Sequence, residues 1–342
     1  MEHRIVFPAE WSPQSAVQLT WPHDETDWKP LLAEVIPCFA AIAGEIVKRE
    51  KLLIVCRDAE EVRRQLGDVD ESRILFREME TNDTWARDHG GIGVFEDGVP
   101  TLYDFVFNGW GMKFPAHFDN LVTRRLVRAG TFADGVAAVN MQPFVLEGGS
   151  LETDGKGTLL TTVECLASVN RNEYLGKEQL EYHLKELFGL RRILWLENGY
   201  LAGDDTDSHI DTLARFCDEE TIAYVQCTDR RDEHYGELSE MEKELKAFRQ
   251  ENGKPYRLIP LPMADKAYWE GERLPATYAN FLIINGAVLL PFYGSKRDEL
   301  ARKALEKAFP GREIIGINCL PLVKQHGSLH CVAMQYPAGF IE

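Results

Sequence analysis

Apolar runs of strand length alternate with segments of helical periodicity from one end of this chain to the other, and that alternation leaves few folds open. KLLIVC (51–56), RILFREM (73–79), GTLLTTVECL (157–166), RRILWL (191–196), ETIAYVQC (220–227), YANFLIINGAVLLPFY (278–293) and EIIGI (313–317) read as strands. Apolar residues at three- and four-residue spacing predict helices over 31–48, 117–128, 177–188, 237–249 and 296–308. Pro37 lies inside the first of these and predicts a kink or a later start, because proline has no N–H to donate and its ring crowds the preceding turn. Helices flanked by strands recur at intervals of roughly 60 to 70 residues. The pattern permits a doubly wound sheet or a ring of similar ββαβ units within an α/β class. A doubly wound nucleotide binder carries a glycine-rich phosphate turn after an early strand, and no such turn is present. HGGIGVF (89–95) has crowded glycines but leads into a strand.

The 342 residues suffice for two ordinary domains or one repeat-built domain. Against 38 Lys and Arg stand 55 Asp and Glu, a formal charge of −17, which repels phosphate-rich partners and concentrates small cations near the surface. No nucleic-acid partner is expected. The opening MEHRIVFPAEWSPQ has no basic stretch followed by a long apolar core, and no run reaches the roughly 18 apolar residues of a membrane span, so a cytoplasmic protein without a membrane partner is expected. Seven cysteines, an odd number without a CxxC pair and mostly within apolar runs, predict reduced core thiols rather than a disulfide frame.

Four polar clusters interrupt the apolar segments: NDTWARDHGG (82–91), VLEGGSLE (145–152), DDTDSHIDT (204–212) and HGSLHC (326–331). Polar residues beside Gly-Gly or Gly-Ser at strand ends suit a site assembled on loops from distant segments. Cys331 reads as a core thiol, a metal ligand or a nucleophile, and the Gly, Ser and His before it place it at a backbone turn where an accessible thiol belongs. In DSHID, strand spacing would put His209 and Asp211 on one face. Asp88 reads as a partner of Arg87, a turn residue or a site carboxylate; Glu147 reads as a surface charge or a carboxylate aimed into a cavity. Trp85 and Trp110 read as core or rim aromatics, and for Trp110 that reading is preferred. Asp204, Asp205 and Asp207 form an acidic run that reads first as a solvated loop. HExxH and CxxC are absent, which argues against a metal formed by His209, Asp211, His326 and His330. Together the carboxylates, one histidine and one thiol suit a planar cation, since a carboxylate accepts two parallel N–H bonds from a guanidinium.

NDTWARDHGG, FNGWGMKF, EGGSLETDGKGTLLTTVECLASVNRN, DDTDSHIDTLARF, YANFLIINGAVLLPFYG and HGSLHCVAMQ resemble, in order and spacing, the agmatine deiminase family, of the guanidine-modifying pentein superfamily that includes the bacterial-type peptidylarginine deiminases. The resemblance runs from about residue 5 to residue 337. It implies a five-bladed pseudo-fivefold α/β propeller of ββαβ units, one catalytic domain over 1–342, with the site in the central channel. It also implies Asp88 and Asp211 as guanidinium-binding carboxylates, Glu147 and His209 as a catalytic pair, Cys331 as nucleophile, and Trp85 lining the substrate channel. The implied reaction turns a guanidine into a ureido group and ammonia through a Cys thiouronium adduct, with neither metal nor cofactor. Agmatine is the first choice of substrate, its cationic tail held by an acidic mouth to which Asp205 contributes. Free arginine, peptidyl-arginine, amidine transfer to an amine, and a non-catalytic binding module are the alternatives; self-association is left open. Two departures adjoin the catalytic positions: Gln325-His326-Gly327-Ser328 stands where relatives carry a glycine triplet, and Asp207-Ser208 where they carry Asn-Gly.

Overall fold

The computed structural model describes residues 4–342. Its strands pair into five mixed sheets of three or four strands and one separate two-stranded hairpin, in an α/β arrangement with no closed sheet among the described residues. Each mixed sheet has the same core. A central strand runs antiparallel to the strand before it and parallel to the strand that returns after a helix.

Thr158–Thr162 pairs antiparallel with Glu152–Thr153 and, after helix Lys177–Phe188, parallel with Arg192–Leu196. Thr221–Gln226 stands between Ala214–Phe216 and Arg257–Pro262, with helix Tyr235–Ala247 as the crossover. Ala287–Phe292 stands between Leu282–Ile284 and Glu313–Asn318, with helix Asp298–Ala308. Val99–Val106 pairs with Ile92–Glu96 and Ala137–Val145 across helix Val122–Arg128. The fifth unit is discontinuous in sequence, because its antiparallel strand is the last of the chain, Ala333–Pro337. This strand pairs with Gln14–Thr20, which pairs in parallel with Lys51–Cys56 after helix Leu32–Val47.

The five long helices expected from periodicity are all present, and each is the crossover of one unit. Four expectations change. The run 278–293 is two antiparallel strands, Leu282–Ile284 and Ala287–Phe292, turned at Asn285-Gly286, where Gly286 takes a φ of 76°. The run 157–166 leaves the sheet at Thr162 and continues as helix Val163–Leu166. Of the two readings of Pro37 the later start fails, because helix Leu32–Val47 begins before the proline and runs through it. Its buried residues, Val35, Cys38, Phe39, Ile42, Ala43 and Ile46, form one stripe against strands Lys51–Cys56 and Glu313–Asn318, and this packing holds it together across the missing N–H. Extended by the turn before it to Lys29–Val47, with a mean hydropathy of 1.7, this segment is long and apolar enough to cross a membrane, contrary to the expectation that no run is; here its stripe is taken up by the core. All seven cysteines are buried and unpaired.

A buried ion cluster joins the units near the chain's start. Arg215, with no exposed surface, donates to Glu152 Oε2 at 2.6 Å, to Glu10 Oε2 at 2.8 Å and to the Phe281 carbonyl at 2.6 Å. Glu10 also accepts from the Ile283 amide at 2.7 Å. Removing the cation strips two buried carboxylates of their shared partner, so Arg215→Met is expected to destabilise the protein by about 3–5 kcal/mol, read as a lowered urea midpoint. A midpoint within error of the native one would show that the cluster contributes nothing.

Candidate active site

Every sequence-predicted catalytic residue lies in the segment leading into the antiparallel strand of one unit. Asp88 is in the short helix Ala86–His89 ahead of Ile92–Glu96, and Glu147 stands just before the turn Gly148–Ser150 that leads to Glu152–Thr153. His209 and Asp211 are at the start and middle of a 3-10 turn ahead of Ala214–Phe216, and Cys331 is in the turn before Ala333–Pro337. The fifth unit places Asn280 at the same point, ahead of Leu282–Ile284. The five units thus aim polar side chains at one place.

Those side chains meet directly. Asn280 Oδ1 accepts the His330 amide at 2.9 Å and the Cys331 amide at 3.4 Å, and lies 3.4 Å from Cys331 Sγ, so it fixes the turn that carries the thiol. Asp211 Oδ2 is 4.0 Å from the same sulfur and 2.7 Å from His330 Nδ1, whose Nε2 faces Glu10 Oε2 at 2.7 Å. Asp211 Oδ1 has no partner although it is buried. Asp88 accepts from the Gly149 amide at 2.9 Å and from Trp110 Nε1 at 3.0 Å, and its Oδ1 lies 3.6 Å from His209 Nδ1. On the other side of the ring, His209 Nε2 is 3.3 Å from Glu147 Oε2.

The expectation that His209 and Asp211 share a strand face fails. Ser208 and Asp207 take φ values of 61° and 64°, and the residues form a tight turn. Both side chains reach the site because the turn presents them. Trp110, expected to be a core or rim aromatic, is buried in the core and in addition donates a hydrogen bond to Asp88 from a backbone held at a φ of 55°, and Arg87 does not pair with Asp88: its Nε points to the His330 carbonyl at 3.5 Å. His326 and His330 do not join His209 and Asp211 in one cluster of donor atoms. His326 Nδ1 faces the Gly203 carbonyl at 2.7 Å and both His330 nitrogens face carboxylates.

A cavity of about 160 Å³ opens onto this group, lined by Trp85, Asp88, Trp110 and Cys331 at its base and by Asp27, Asp83, Phe114, Asp205 and His326 among others. Asp205, read first as part of a solvated acidic loop, is among these lining residues. His209, Glu147 and Asp211 stand behind the lining. Glycines permit two close approaches here: a Cβ on Gly149 would come within 2.4 Å of His209 Nδ1, and one on Gly327 within 2.2 Å of the Trp85 ring.

Burial drives the Cys331 thiol well above its usual range, and Asp211 and Asp88 add to the shift because a thiolate beside them would be repelled. Burial likewise raises the Asp88 carboxyl to about 6, with Asp211 and Glu147 adding and His209 opposing. For His209 burial disfavours the charged ring, but Asp88, then Cys165 and Glu147, outweigh it and hold the imidazole well above its ordinary value. Glu147 is held below the usual carboxylate range in spite of burial, because His209 and Arg171 both donate to it. Both shifts favour the protonated forms, a thiol on Cys331 and an imidazolium on His209. Glu147, Cys165 and His209 are close enough to share a metal ion, but Glu147 Oε2 already accepts from Arg171 Nε at 2.7 Å, a cation where a second would have to sit.

The family described as Porphyromonas-type peptidyl-arginine deiminase matches residues 6–337, nearly the whole chain. The chain belongs to that family. Its relatives include an agmatine deiminase of Stutzerimonas stutzeri, 32% identical over 359 residues that cover 98% of this chain and 96% of the relative. Among solved structures, a Porphyromonas gingivalis protein provisionally named an arginine deiminase is 58% identical, with a TM-score of 0.96 and coverage of 99% and 100%. A cysteine-to-serine variant of C. jejuni agmatine deiminase, with substrate bound, is 41% identical with a TM-score of 0.92 and coverage of 98% and 97%.

For this member of the deiminase family, Gly149→Ala is the sharpest probe of the geometry. It is expected to leave thermal stability within a few degrees while costing about 100-fold in deiminase kcat/KM, since an ångström of displacement at a reacting group has that order of effect. Retained activity would show that the His209 ring does not need its present place.

Proposed function

We propose that the protein hydrolyses the guanidine of a small substrate with a cationic tail, agmatine first among them, to a ureido product and ammonia. The observation that carries this reading is a thiol and a carboxylate, Cys331 and Asp88, at the base of one cavity whose remaining ionisable lining includes Asp27, Asp83 and Asp205. Five repeated units whose leading segments converge on that base support a five-bladed propeller built as a single catalytic domain over 1–342.

The guanidinium is held between Asp88 and the partnerless Oδ1 of Asp211, over Cys331. Its positive charge offsets the repulsion that raises the thiol pKa, so binding releases the thiol proton to water and makes the nucleophile where it is needed. Sγ adds to the central carbon. The His209 imidazolium then gives its proton to a departing nitrogen, ammonia leaves, and the thiouronium remains. His209, now neutral, takes a proton from water as the oxygen adds to that carbon; collapse of the adduct frees the ureido product and passes the remaining hydroxyl proton to the departing sulfur, which restores the thiol. Glu147 orients the ring through Nε2 and stabilises its charged form between turnovers.

Arginine, suggested by the name of the 58%-identical relative, would bring a carboxylate into the acidic mouth. Lys113 Nζ, an ammonium tied to that mouth through Asp205, is taken up by the Asp205 carbonyl and Asp207 Oδ1, both at 2.6 Å, and Arg87 lies away from the cavity. Agmatine is therefore expected to exceed arginine and an arginyl peptide by about 100-fold in kcat/KM, the scale of one charged hydrogen-bonding partner gained or lost. Ammonia release from the three compounds ranks them; arginine as the best substrate would overturn the choice of tail. Cys331→Ala is expected to abolish release from all three, and turnover in that variant would remove the thiol from the mechanism.

Acid should act through the carboxylates. Asp88, Asp83 and Asp205 are each raised to about 6, chiefly by burial, and each must be charged to hold a cation. As pH falls through 6 they take up protons, so kcat/KM for agmatine should fall there, mainly through a rising KM. In the bound complex the cation lowers those pKa values, so kcat should hold to lower pH. A profile with kcat/KM flat down to about pH 5 would contradict this assignment.

A further inference from the structure

One buried guanidinium beside the catalytic pair takes no part in the steps above. Arg171, 6% exposed, spreads its fork over two separate pieces of the site. Nε donates to Glu147 Oε2 at 2.7 Å, Nη1 to Asp207 Oδ2 at 2.6 Å, and Nη2 to the Thr206 carbonyl at 2.9 Å. Thr206 and Asp207 belong to the loop that ends in His209, and Asp207 is in the left-handed region, a conformation that an Asp keeps only when its surroundings hold it. The next residue, Asn172, brackets Val145 with both ends of its amide, accepting its N–H at 3.0 Å and donating to its carbonyl at 2.8 Å. The segment that bears Arg171 is thus docked on the strand end that bears Glu147.

We propose that Arg171 is a positioning residue for the reaction: its fork clamps Glu147 to the Thr206–Asp207 turn and so fixes the place at which the His209 ring works. The proposal rests on the deiminase reading and adds to it a residue that does not touch substrate, since all three Arg171 nitrogens are bonded to Glu147, Asp207 and Thr206. The groups facing Glu147 are Arg171, His209 and Cys165, with Asp88 across the ring; those facing Arg171 are Glu147, Asp207 and Cys165. Arg171 is a principal cation keeping Glu147 charged once His209 has given up its proton. From Asp207 the tie continues to Lys113, in the segment that also carries Trp110, the donor to Asp88. One chain of ion pairs therefore links the cavity's aromatic wall to the general acid.

A merely structural arginine would lower stability without changing how the site titrates, and this separates the two roles. In R171Q the charge is gone, so Glu147 should take up a proton at higher pH than in the native protein. The acid limb of kcat, which lies at lower pH in the native protein, should move up with it, kcat at its plateau should fall about 100-fold, and KM for agmatine should stay within about threefold. R171K returns the charge but cannot reach Glu147, Asp207 and Thr206 together; the limb should return toward its native position while kcat remains about tenfold down. Carboxyl ¹³C titration of Glu147 reads the ionisation without turnover. Native protein that releases no ammonia from agmatine would defeat the deiminase reading, while an upward-shifted Glu147 titration in R171Q would still uphold the clamp. Should R171Q not fold, R171K and D207N carry the test, the latter loosening the turn with Glu147 still paired. Native kcat in both, or an unmoved Glu147 titration in a folded R171Q, would overturn the proposal.

Discussion

Three carboxylates, Asp88, Glu147 and Asp211, are taken out of water close to one thiol, and mutual repulsion in a poorly solvated site would disperse or neutralise them if each lacked a cation. Asp211 has Arg215, reached through the hydrogen-bonded ring of His330 and Glu10; burial, with Arg215 itself, disfavours a charge on that ring. Glu147 has Arg171, and Glu147 and Asp88 flank the His209 ring. Asp88 is the least compensated of the three and the one raised to about 6. The site is therefore poised for a cation at the place where compensation is incomplete. Architecture and chemistry share this cause, because the cations that settle the carboxylates come from different units and join those units as they do so.

Much of this was legible in the amino-acid order. Strand and helix alternation marked the five crossover helices, since their apolar stripes have the 3.6-residue period that packing on a sheet demands. Asp88, Glu147, His209, Asp211 and Cys331 stood out because each sits in a polar break within apolar sequence. Less legible were the strands Gln14–Thr20 and Ala137–Val145; the latter is largely exposed and carries Asn, Gln and Pro, so its place in a sheet comes from pairing rather than composition. The hairpin of Ile92–Glu96 and Val99–Val106 had a readable signal in Asp97-Gly98, both at positive φ.

Some functional residues had no local signal. Asn280 is one polar residue in an apolar run and looks like a turn former; its role follows only when the five units are aligned and it falls where the others carry Asp88, Glu147, Asp211 and Cys331. Trp110 looked like packing because nothing in FNGWGMKF says that its indole N–H will meet a carboxylate 22 residues earlier. Arg171 and Glu10 are long-range partners, and no spacing rule connects an arginine to a glutamate 24 positions away or a histidine to one 320 positions away.

Neighbours in sequence divide between two sides of the site. Asp88 and Cys331 border the cavity of about 160 Å³. Arg87, Gly148 and Met334 instead border a second, smaller cavity of about 40 Å³ that also touches Glu10 and Glu152, and His330, next to Cys331, bonds Glu10. The wall between the two spaces is in places a single backbone thick. Inserting or deleting one residue in these stretches would swap which side chain faces which space, so the lineage can vary them only by replacement in place. Freedom to acquire new substrates must lie instead in lining side chains that make none of these ties, such as Asp27 and Phe114, which can be exchanged without turning the reactive groups away from each other.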